Sequence, residues 1–357
     1  MLNWGVLSAG RIAHVFCNAM RFTDTGQILA VASRTQSKAD RLVNDFGIPR
    51  QYRSYEDLLE DEEIDAVYIA TIHPLHAEWA IKCAKARKHI LVEKPISMNY
   101  AETVAMVEAA RENDVFLMEA FIYRCHPQMQ QVVKLIQDGA IGEIHVIRAT
   151  ISYRLNFDSQ SRIYNQEAGG GSILDIGCYA ASMVRRIAGA AENKPFLHHD
   201  MVKGNGKLGP TGVDHIAAAT LRFENDIIAE IIAAVDCNLG SRVSIFGSDG
   251  TMTIANPWLQ SLSPCIDAEQ PLPLDTIFPS TKIVVQSYQN AAGRWSISTA
   301  GESSEITVDV DRDPFTYGAD TVANHIRDRE APAMSWDDSL SNMRLLDAWR
   351  AEVGVVY

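Results

Sequence analysis

The sequence has no excess of positive charge, no long apolar run and no paired cysteines, and each absence removes a class of function. Among 357 residues, Lys plus Arg number 32 and Asp plus Glu 45, a net charge of −13. A chain of that sign repels phosphate backbones and anionic lipid surfaces, so neither nucleic acid nor membrane is an expected partner. No apolar stretch reaches the roughly 18 residues that span a bilayer. The start, Met1-Leu2-Asn3-Trp4, lacks the basic-then-apolar pattern of a secretory signal. Cys17, Cys83, Cys125, Cys178, Cys237 and Cys265 are irregularly spaced, with no Cys-x-x-Cys. That favours reduced thiols in a cytoplasmic protein over a disulfide framework or a zinc site. His-Glu-x-x-His, the Gly-x-x-x-x-Gly-Lys phosphate loop and a Tyr followed four residues later by Lys are also missing. No metal is expected. His198-His199-Asp200 is read as a surface loop, because adjacent side chains seldom point to one centre.

What is present is enough apolar material for packed cores, 47% of residues, in a length that suits about two domains. The first third alternates short apolar runs with helical patterns. Strands are expected at Leu2 to Leu7, Ile28 to Ala32, Ala66 to Ala70, Ile90 to Val92 and Val115 to Met118. Helices are expected at Ile12 to Arg21, Ser37 to Phe46, His76 to Ala86 and Asn99 to Glu112. Such alternation predicts an α/β fold with a doubly wound parallel sheet.

After Glu119 the rhythm changes. Helices are expected at Pro127 to Gln137, closed by Gly139, and at Ile173 to Ala188, closed by Gly189. Strand patterns run from Glu143 to Tyr153, His215 to Phe223, Ile227 to Val235, Arg242 to Phe246, Thr251 to Ile254, Lys282 to Gln286 and Glu305 to Val310. Two helices, Phe315 to Arg327 and Ser339 to Glu352, follow. The implied second domain is α/β with a large, mostly antiparallel open sheet. Gln260 to Thr281, rich in Pro and Ser, reads as a long surface loop. The boundary is placed between residues 121 and 122.

The turn Gly5-Val6-Leu7-Ser8-Ala9-Gly10-Arg11-Ile12-Ala13 lies between the first strand and the first helix, where dinucleotide-binding folds place their phosphate loop. Ser8 takes the first glycine position, Gly10 the second and Ala13 the third. Gly10 would let the pyrophosphate approach, and the N–H groups at Arg11 and Ile12 would face it. The second strand ends in Ala32-Ser33-Arg34-Thr35, with Lys38 nearby and no carboxylate before Asp40. A carboxylate here would favour the ribose 2′-hydroxyl of NAD. Ser33, Arg34, Thr35 and Lys38 instead suit a 2′-phosphate, so NADP(H) is expected over NAD(H). A solvated loop arginine is the plainer reading of Arg34. The third strand ends in Thr71-Ile72-His73-Pro74-Leu75-His76 and the fourth in Val92-Glu93-Lys94-Pro95. Both lie where ligands bind in open α/β sheets, and the proline keeps Lys94 out of the helical region.

With these segments and Gly169-Gly170-Gly171-Ser172-Ile173-Leu174-Asp175-Ile176-Gly177-Cys178-Tyr179, the chain resembles the glucose-fructose oxidoreductase / inositol dehydrogenase family, the Gfo/Idh/MocA oxidoreductases. Met118-Glu119-Ala120-Phe121-Ile122-Tyr123-Arg124-Cys125-His126-Pro127, and Tyr179 where many relatives have His, look like the dimeric dihydrodiol dehydrogenase and NADP-dependent D-xylose dehydrogenase branch.

The resemblance implies a Rossmann domain, a C-terminal α/β domain and hydride transfer between nicotinamide and a sugar or polyol carbon. The substrate would be small and carbohydrate-like, or a trans-dihydrodiol. Lys94 and Tyr179 become the catalytic candidates, with Asp175 the supporting carboxylate. Tyr179 would be the base, its phenol (about 10 unperturbed) lowered by the Lys94 cation. Lys94 would also stabilise negative charge on the substrate oxygen. Thr71, His73, His76, Glu93, Lys94 and Arg162 join the expected cofactor contacts, although Ser161 replaces the usual Trp before Arg162. Tyr179 as a packed aromatic and Asp175 as a helix-start carboxylate are the plainer readings. The roles of His73, Cys125 and His126 stay open. Paired sheets in the family imply a homodimer or dimer of dimers. A non-catalytic NADP(H)-binding sensor is the alternative, and a related redox reaction such as imine or cyclic-ketone reduction a third.

Overall fold

The computed structural model describes residues 1–255, 257–258, 263–289 and 299–357. The chain forms two compact units. The first comprises Met1–His126, Leu259–Pro279 and Asp311–Arg344, the second Pro127–Trp258, Ser280–Val310 and Leu345–Tyr357.

In the first unit, β1 (Leu2–Leu7), β2 (Gly26–Ala32), β3 (Arg50–Tyr52), β4 (Ala66–Ile69), β5 (His89–Val92) and β6 (Leu117–Glu119) form a parallel sheet in the order β3-β2-β1-β4-β5-β6. Helices α1 (Arg11–Ala19), α2 (Gln36–Phe46), α3 (Tyr55–Leu59), α4 (His76–Lys85) and α5 (Tyr100–Glu112) lie between them. The central strands are apolar on both sides, and Val6, Leu7, Val31, Val67, Ile69, Leu91 and Val92 are buried, as in a sheet covered on two faces. Registers align the strand ends: Leu7 pairs with Ala32 and Ile69, Ile69 with Val92, and Val92 with Glu119. Ser8, Ser33, Ala70, Glu93 and Ala120 therefore leave the sheet along one edge.

β3 and α3 went unforeseen. β3 is three residues long with the polar sequence Arg-Gln-Tyr, and α3 is a five-residue helix started by Ser54, whose hydroxyl accepts from Asp57 N–H at 3.0 Å. Neither is long enough to show a period.

A single boundary at 121/122 does not describe the packing, because later segments return to the first unit. Phe315 and Cys265 pack with Val15, Ala19 and Ile122, and Thr316 Oγ1 donates to the Ala19 carbonyl at 2.8 Å. The β6 edge is closed by Leu117 N–H on the Arg329 carbonyl (3.1 Å) and Trp336 Nε1 on the Leu117 carbonyl (3.0 Å).

The second unit holds β7 (Ile144–Ser152), β8 (His199–Leu208), β9 (Asp214–Phe223), β10 (Ile228–Ala234), β11 (Arg242–Gly247), β12 (Gly250–Ala255), β13 (Thr281–Gln289) and β14 (Thr299–Val308). They form one sheet, β14-β13-β12-β11-β7-β10-β9-β8, in which β7 and β10 are parallel and every other neighbouring pair is antiparallel. Helices α6 (Pro127–Gln137) and α7 (Cys178–Ala191) pack on it. Residues alternate by face: Ile147, Ala149, Ala219, Leu221, Ala229, Ile231, Val243 and Ile245 are buried, while Arg148, Thr220, Glu230 and Ser244 lie on the other, half-exposed side.

Three expectations need correction here. His199 and Asp200 open β8 rather than a surface loop; that strand is rich in Gly, Lys and Asn and carries little apolar signal. The helix after the glycine turn begins as a π turn, Ile173–Gly177, before α7. Gly189 lies inside α7 rather than ending it, where a Cβ would fall 2.4 Å from the Phe196 backbone. Part of the expected loop at 260–281 lies outside the described residues; within it Pro264–Asp267 is helical. All six cysteines are free thiols, five of them buried. Among the described residues no helix is long and apolar enough to cross a membrane.

Candidate active site

The expected residues fall into two groups, one in each unit. In the first unit they line the strand-end edge. Ser8 adopts a left-handed conformation, φ 88°, in the place usually given to glycine, and its N–H bonds the Ala32 carbonyl at 2.9 Å. Gly10 starts α1 in extended conformation, and a Cβ there would meet nothing closer than Ser8 Oγ at 3.8 Å. α1 carries no acidic residue in its first turn, so its partial positive charge is left for an anion. Ile12 is partly buried against the cluster that contains Val15 and Phe315; Arg11 is exposed.

Ser33 is buried and its hydroxyl accepts from Thr35 N–H at 3.1 Å. Arg34, Thr35 and Lys38 are exposed. Asp40 accepts from Gln36 at 2.7 Å and Gln51 at 3.0 Å, which hold its carboxyl below the usual range. Tyr55, unforeseen, places its hydroxyl near Ser8 and Arg34, and burial pushes it up.

At the ends of β4 and β5, Thr71 Oγ1 is buried and has no hydrogen-bond partner among the described residues. His76 sits between two carbonyls, Nδ1 2.8 Å from Pro95 O and Nε2 3.1 Å from Thr71 O, and His73 meets it edge-on at 5.8 Å. Glu93 accepts from the Tyr68 hydroxyl at 2.5 Å. The Lys94–Pro95 peptide is cis. Behind it, Glu119 Oε1 accepts from Ile96 N–H at 2.9 Å. The sheet register places Glu119 beside Val92, a role that a lone carboxylate ending an apolar run could have signalled. Arg124 pairs with Asp338 at 3.1 Å, both nearly inaccessible. Cys125 and His126 are buried, which pushes the thiol up to about 11 and the imidazole down to about 4.

The open space over Gly10, the left-handed Ser8, the uncompensated start of α1 and the unpartnered Thr71 hydroxyl fit a dinucleotide laid across this edge.

In the second unit, Gly169 (φ 67°) and Gly171 (φ 99°) form a turn that other residues rarely adopt. A Cβ on Gly170 would fall 2.5–2.8 Å from the carbonyls of Ile163, Arg162 and Asn165. The turn feeds the π segment that carries Asp175, which is 4% exposed; π turns recur at functional sites. Asp175 Oδ2 accepts from the Tyr153 hydroxyl at 2.5 Å and Oδ1 from Arg162 at 2.9 Å. Burial, then the Asp175 charge, raise the Tyr153 phenol. Tyr153 was expected only as a strand end. Tyr179 begins α7, buried, its ring 6.0 Å from Trp258. The structure thus joins Asp175 to Arg162, which had been assigned to the cofactor, and to Tyr153, which had been assigned no role.

Residues 2–121 match the family described as an oxidoreductase family with an NAD-binding Rossmann fold, and 129–253 the GFO/IDH/MocA C-terminal domain. A trans-1,2-dihydrobenzene-1,2-diol dehydrogenase of Danio rerio is 32% identical over 363 residues, covering 100% of this chain and 98% of that protein. The enzyme of the same name from Mus musculus is 33% identical over 72% of this chain and 75% of its own. Among solved structures, a 3-ketoreductase from Actinomadura kijaniata in complex with NADP and TDP-benzene aligns with a TM-score of 0.80 at 24% identity, covering 99% of this chain and 98% of that one. An aldose-aldose oxidoreductase from Caulobacter crescentus aligns at 0.77 and 21%, covering 99% and 97%. These two likenesses establish the fold.

Burial pushes the Glu119 carboxyl from its usual 4.5 up to about 8, with the Asp338 charge adding to it and Ser339, Ile96 N–H and Arg124 opposing. A raised acid holds its proton in the folded state. Its stability contribution is complete below 4.5 and is lost as pH rises toward 8, by up to about 1.4 kcal/mol per pH unit. Glu119→Gln should flatten that slope in urea titrations between pH 5 and 9. An unchanged slope would show that the carboxyl ionises normally.

Proposed function

The chain belongs to the oxidoreductase family that joins an NAD-binding Rossmann fold to a GFO/IDH/MocA C-terminal domain, and on that premise we propose that it is an NADP(H)-dependent dehydrogenase/reductase. Its substrate in this reading is a carbinol of a sugar, polyol or trans-dihydrodiol, or the matching carbonyl. The observation that most supports it is Asp175, fixed by Tyr153 and Arg162 four residues before the buried Tyr179. The diol dehydrogenases among the relatives support the diol end of the substrate range.

Ser8, Gly10, Arg11 and Ile12 would hold the pyrophosphate, and Ser33, Arg34, Thr35 and Lys38 the 2′-phosphate. Thr71, His73, His76, Glu93 and Lys94 would border the nicotinamide end, with Arg162 a further contact. The bound nicotinamide supplies or accepts the hydride. Tyr179 takes the hydroxyl proton at its phenolic oxygen in oxidation and returns it in reduction. Lys94 donates to the substrate oxygen and stabilises the negative charge that develops there. Asp175, which accepts from Tyr153 and Arg162, orients Lys94 or the substrate.

Two chains are proposed to associate through the half-exposed face of the second sheet, where Ile228 and Ile232 flank an Arg148–Glu230 pair. Sedimentation at micromolar concentration should give a dimer or a dimer of dimers; a monomer would remove this part of the reading.

Arg34→Ala should cost NADP(H) binding about 1.5–3 kcal/mol, the size of a charged hydrogen bond, and narrow the preference over NAD(H) at least tenfold. Wild type binding NAD(H) more tightly by fluorescence titration would reverse the assignment.

A 340 nm screen of aldoses, inositols and trans-diols tests the reaction itself. On the best substrate Tyr179→Phe should lower kcat by about 10²–10⁴-fold, the usual size of general acid–base catalysis, with NADP(H) binding nearly unchanged. Lys94→Met should be at least as damaging. If Tyr179→Phe keeps most of its activity, the proton acceptor lies elsewhere.

A further inference from the structure

One segment outside the proposed chemistry buttresses the run that carries Asp175 and Tyr179. The helix Trp336–Val353 ends at Gly354, φ 83°, and the N–H groups of Gly354 and Val355 both return to the Arg350 carbonyl, at 2.9 and 3.0 Å. This left-handed turn reverses the chain. Tyr357 then reaches the glycine turn, where its hydroxyl donates to the Gly170 carbonyl. Gln166 in turn donates to the Val356 carbonyl.

A Cβ on Gly171 would lie 2.3 Å from Asp214 Oδ1 and 3.0 Å from the Tyr357 hydroxyl. Phenol and carboxyl therefore flank the same glycine, which explains why that position tolerates no side chain. Asp214 is fully buried; its Oδ2 accepts from Ser172 Oγ at 2.5 Å and Ile173 N–H at 2.8 Å. Its Oδ1 finds no hydrogen-bond partner among the described residues. The Arg350 guanidinium lies 5.1 Å from the centre of the Tyr357 ring. From the same helix, Trp349 presses on Gly177, where a Cβ would meet its ring at 2.9 Å, and its Nε1 donates to the Ala218 carbonyl at 3.2 Å. Trp349 and Tyr357 thus brace the two ends of the segment that runs from Gly170 to Gly177.

We propose that Tyr357 is a positioning residue: its phenol, donating to the Gly170 carbonyl beside the Asp214 carboxyl, fixes the glycine turn that sets the placement of Asp175 and Tyr179. The inference rests on the reading of Asp175 and Tyr179 as reacting groups. In this reading Tyr357 acts through the turn rather than on the reacting atoms.

Tyr357→Phe removes one hydroxyl and keeps the ring. It should lower kcat about tenfold through misplacement of the reacting groups, with a smaller change in substrate KM and none in NADP(H) affinity or Tm. Amides of residues 170–175 should exchange hydrogen about tenfold faster by mass spectrometry as the turn opens more often. Ser172→Ala breaks the Asp214 side of the same turn, so its effect on kcat should not add to that of Tyr357→Phe. Unchanged exchange over 170–175 overturns the proposal whatever the enzyme turns over. Faster exchange with kcat within twofold of wild type also overturns it, since the contact would then be structural only. Faster exchange in a protein that turns over nothing in the substrate screen supports the tie between Tyr357 and the turn, and sinks the reading of the reaction instead.

Discussion

The second unit depends on a turn that has no room for a side chain. Gly169 and Gly171 take left-handed backbone conformations, while Gly170 is enclosed by three carbonyls. Glycine there loses more chain entropy on folding than any other residue, so the turn needs external ties. Gly170 and Gly171 donate to the Asn165 and Ile163 carbonyls at 2.9 and 2.8 Å, and Ser172 and Ile173 bond to Asp214. The ties also set the next residues: a π turn inserts an extra residue before α7 and lets Asp175 meet Tyr153 and Arg162 while Tyr179 enters the helix.

The first unit solves a different problem, that of presenting loops from several strands at one level. Its sheet does so by register. Because the ends of β1, β2, β4 and β5 are mutually paired, their following loops cannot slip relative to one another without breaking the ladder. The loops are then tied crosswise. His76 spans the Thr71 and Pro95 carbonyls, Tyr68 holds Glu93, and Glu119 receives the Ile96 amide. These ties come from residues that would not react themselves, and they are what keeps a flexible Lys94 on a defined stem.

Much of this was legible in sequence because the signals were long or chemically specific. Apolar runs located β1, β2, β4 and β5, and Gly139 follows its helix in left-handed conformation as its position suggested. The motif around Ser8 and Gly10 was visible because a phosphate loop constrains backbone as well as side chains. What was not legible depended on partners distant in the chain. β3 and β8 are polar strands stabilised by neighbours rather than by their own pattern. Gly189 looked like a helix end because its true constraint, the Phe196 backbone, lies across the fold. The return of residues near 265 and 315 to the first unit has no local signature, since an apolar Phe315 reads the same whichever core receives it. For the site, residue types were readable but partners were not: Arg162 and Tyr153 meet at Asp175 only after β7 and the loop beyond it have folded.

The net charge of −13 gives the wrong impression of the strand-end edge if taken as uniform. Exposed charges separated by more than about 8–10 Å are largely screened at physiological salt, so a bound phosphate responds to its immediate neighbours. Those neighbours are short of negative charge: α1 and α2 have no acidic residue in their first turns. The carboxylates that do lie nearby are engaged, Asp40 by Gln36 and Gln51, Glu93 by Tyr68. Arg34 and Lys38 are exposed beside them. An acidic protein can therefore still offer one edge where a dinucleotide phosphate would meet amide hydrogens and cations. The local charge of that edge depends on which carboxylates have been given other partners, a property set by hydrogen bonding rather than by composition.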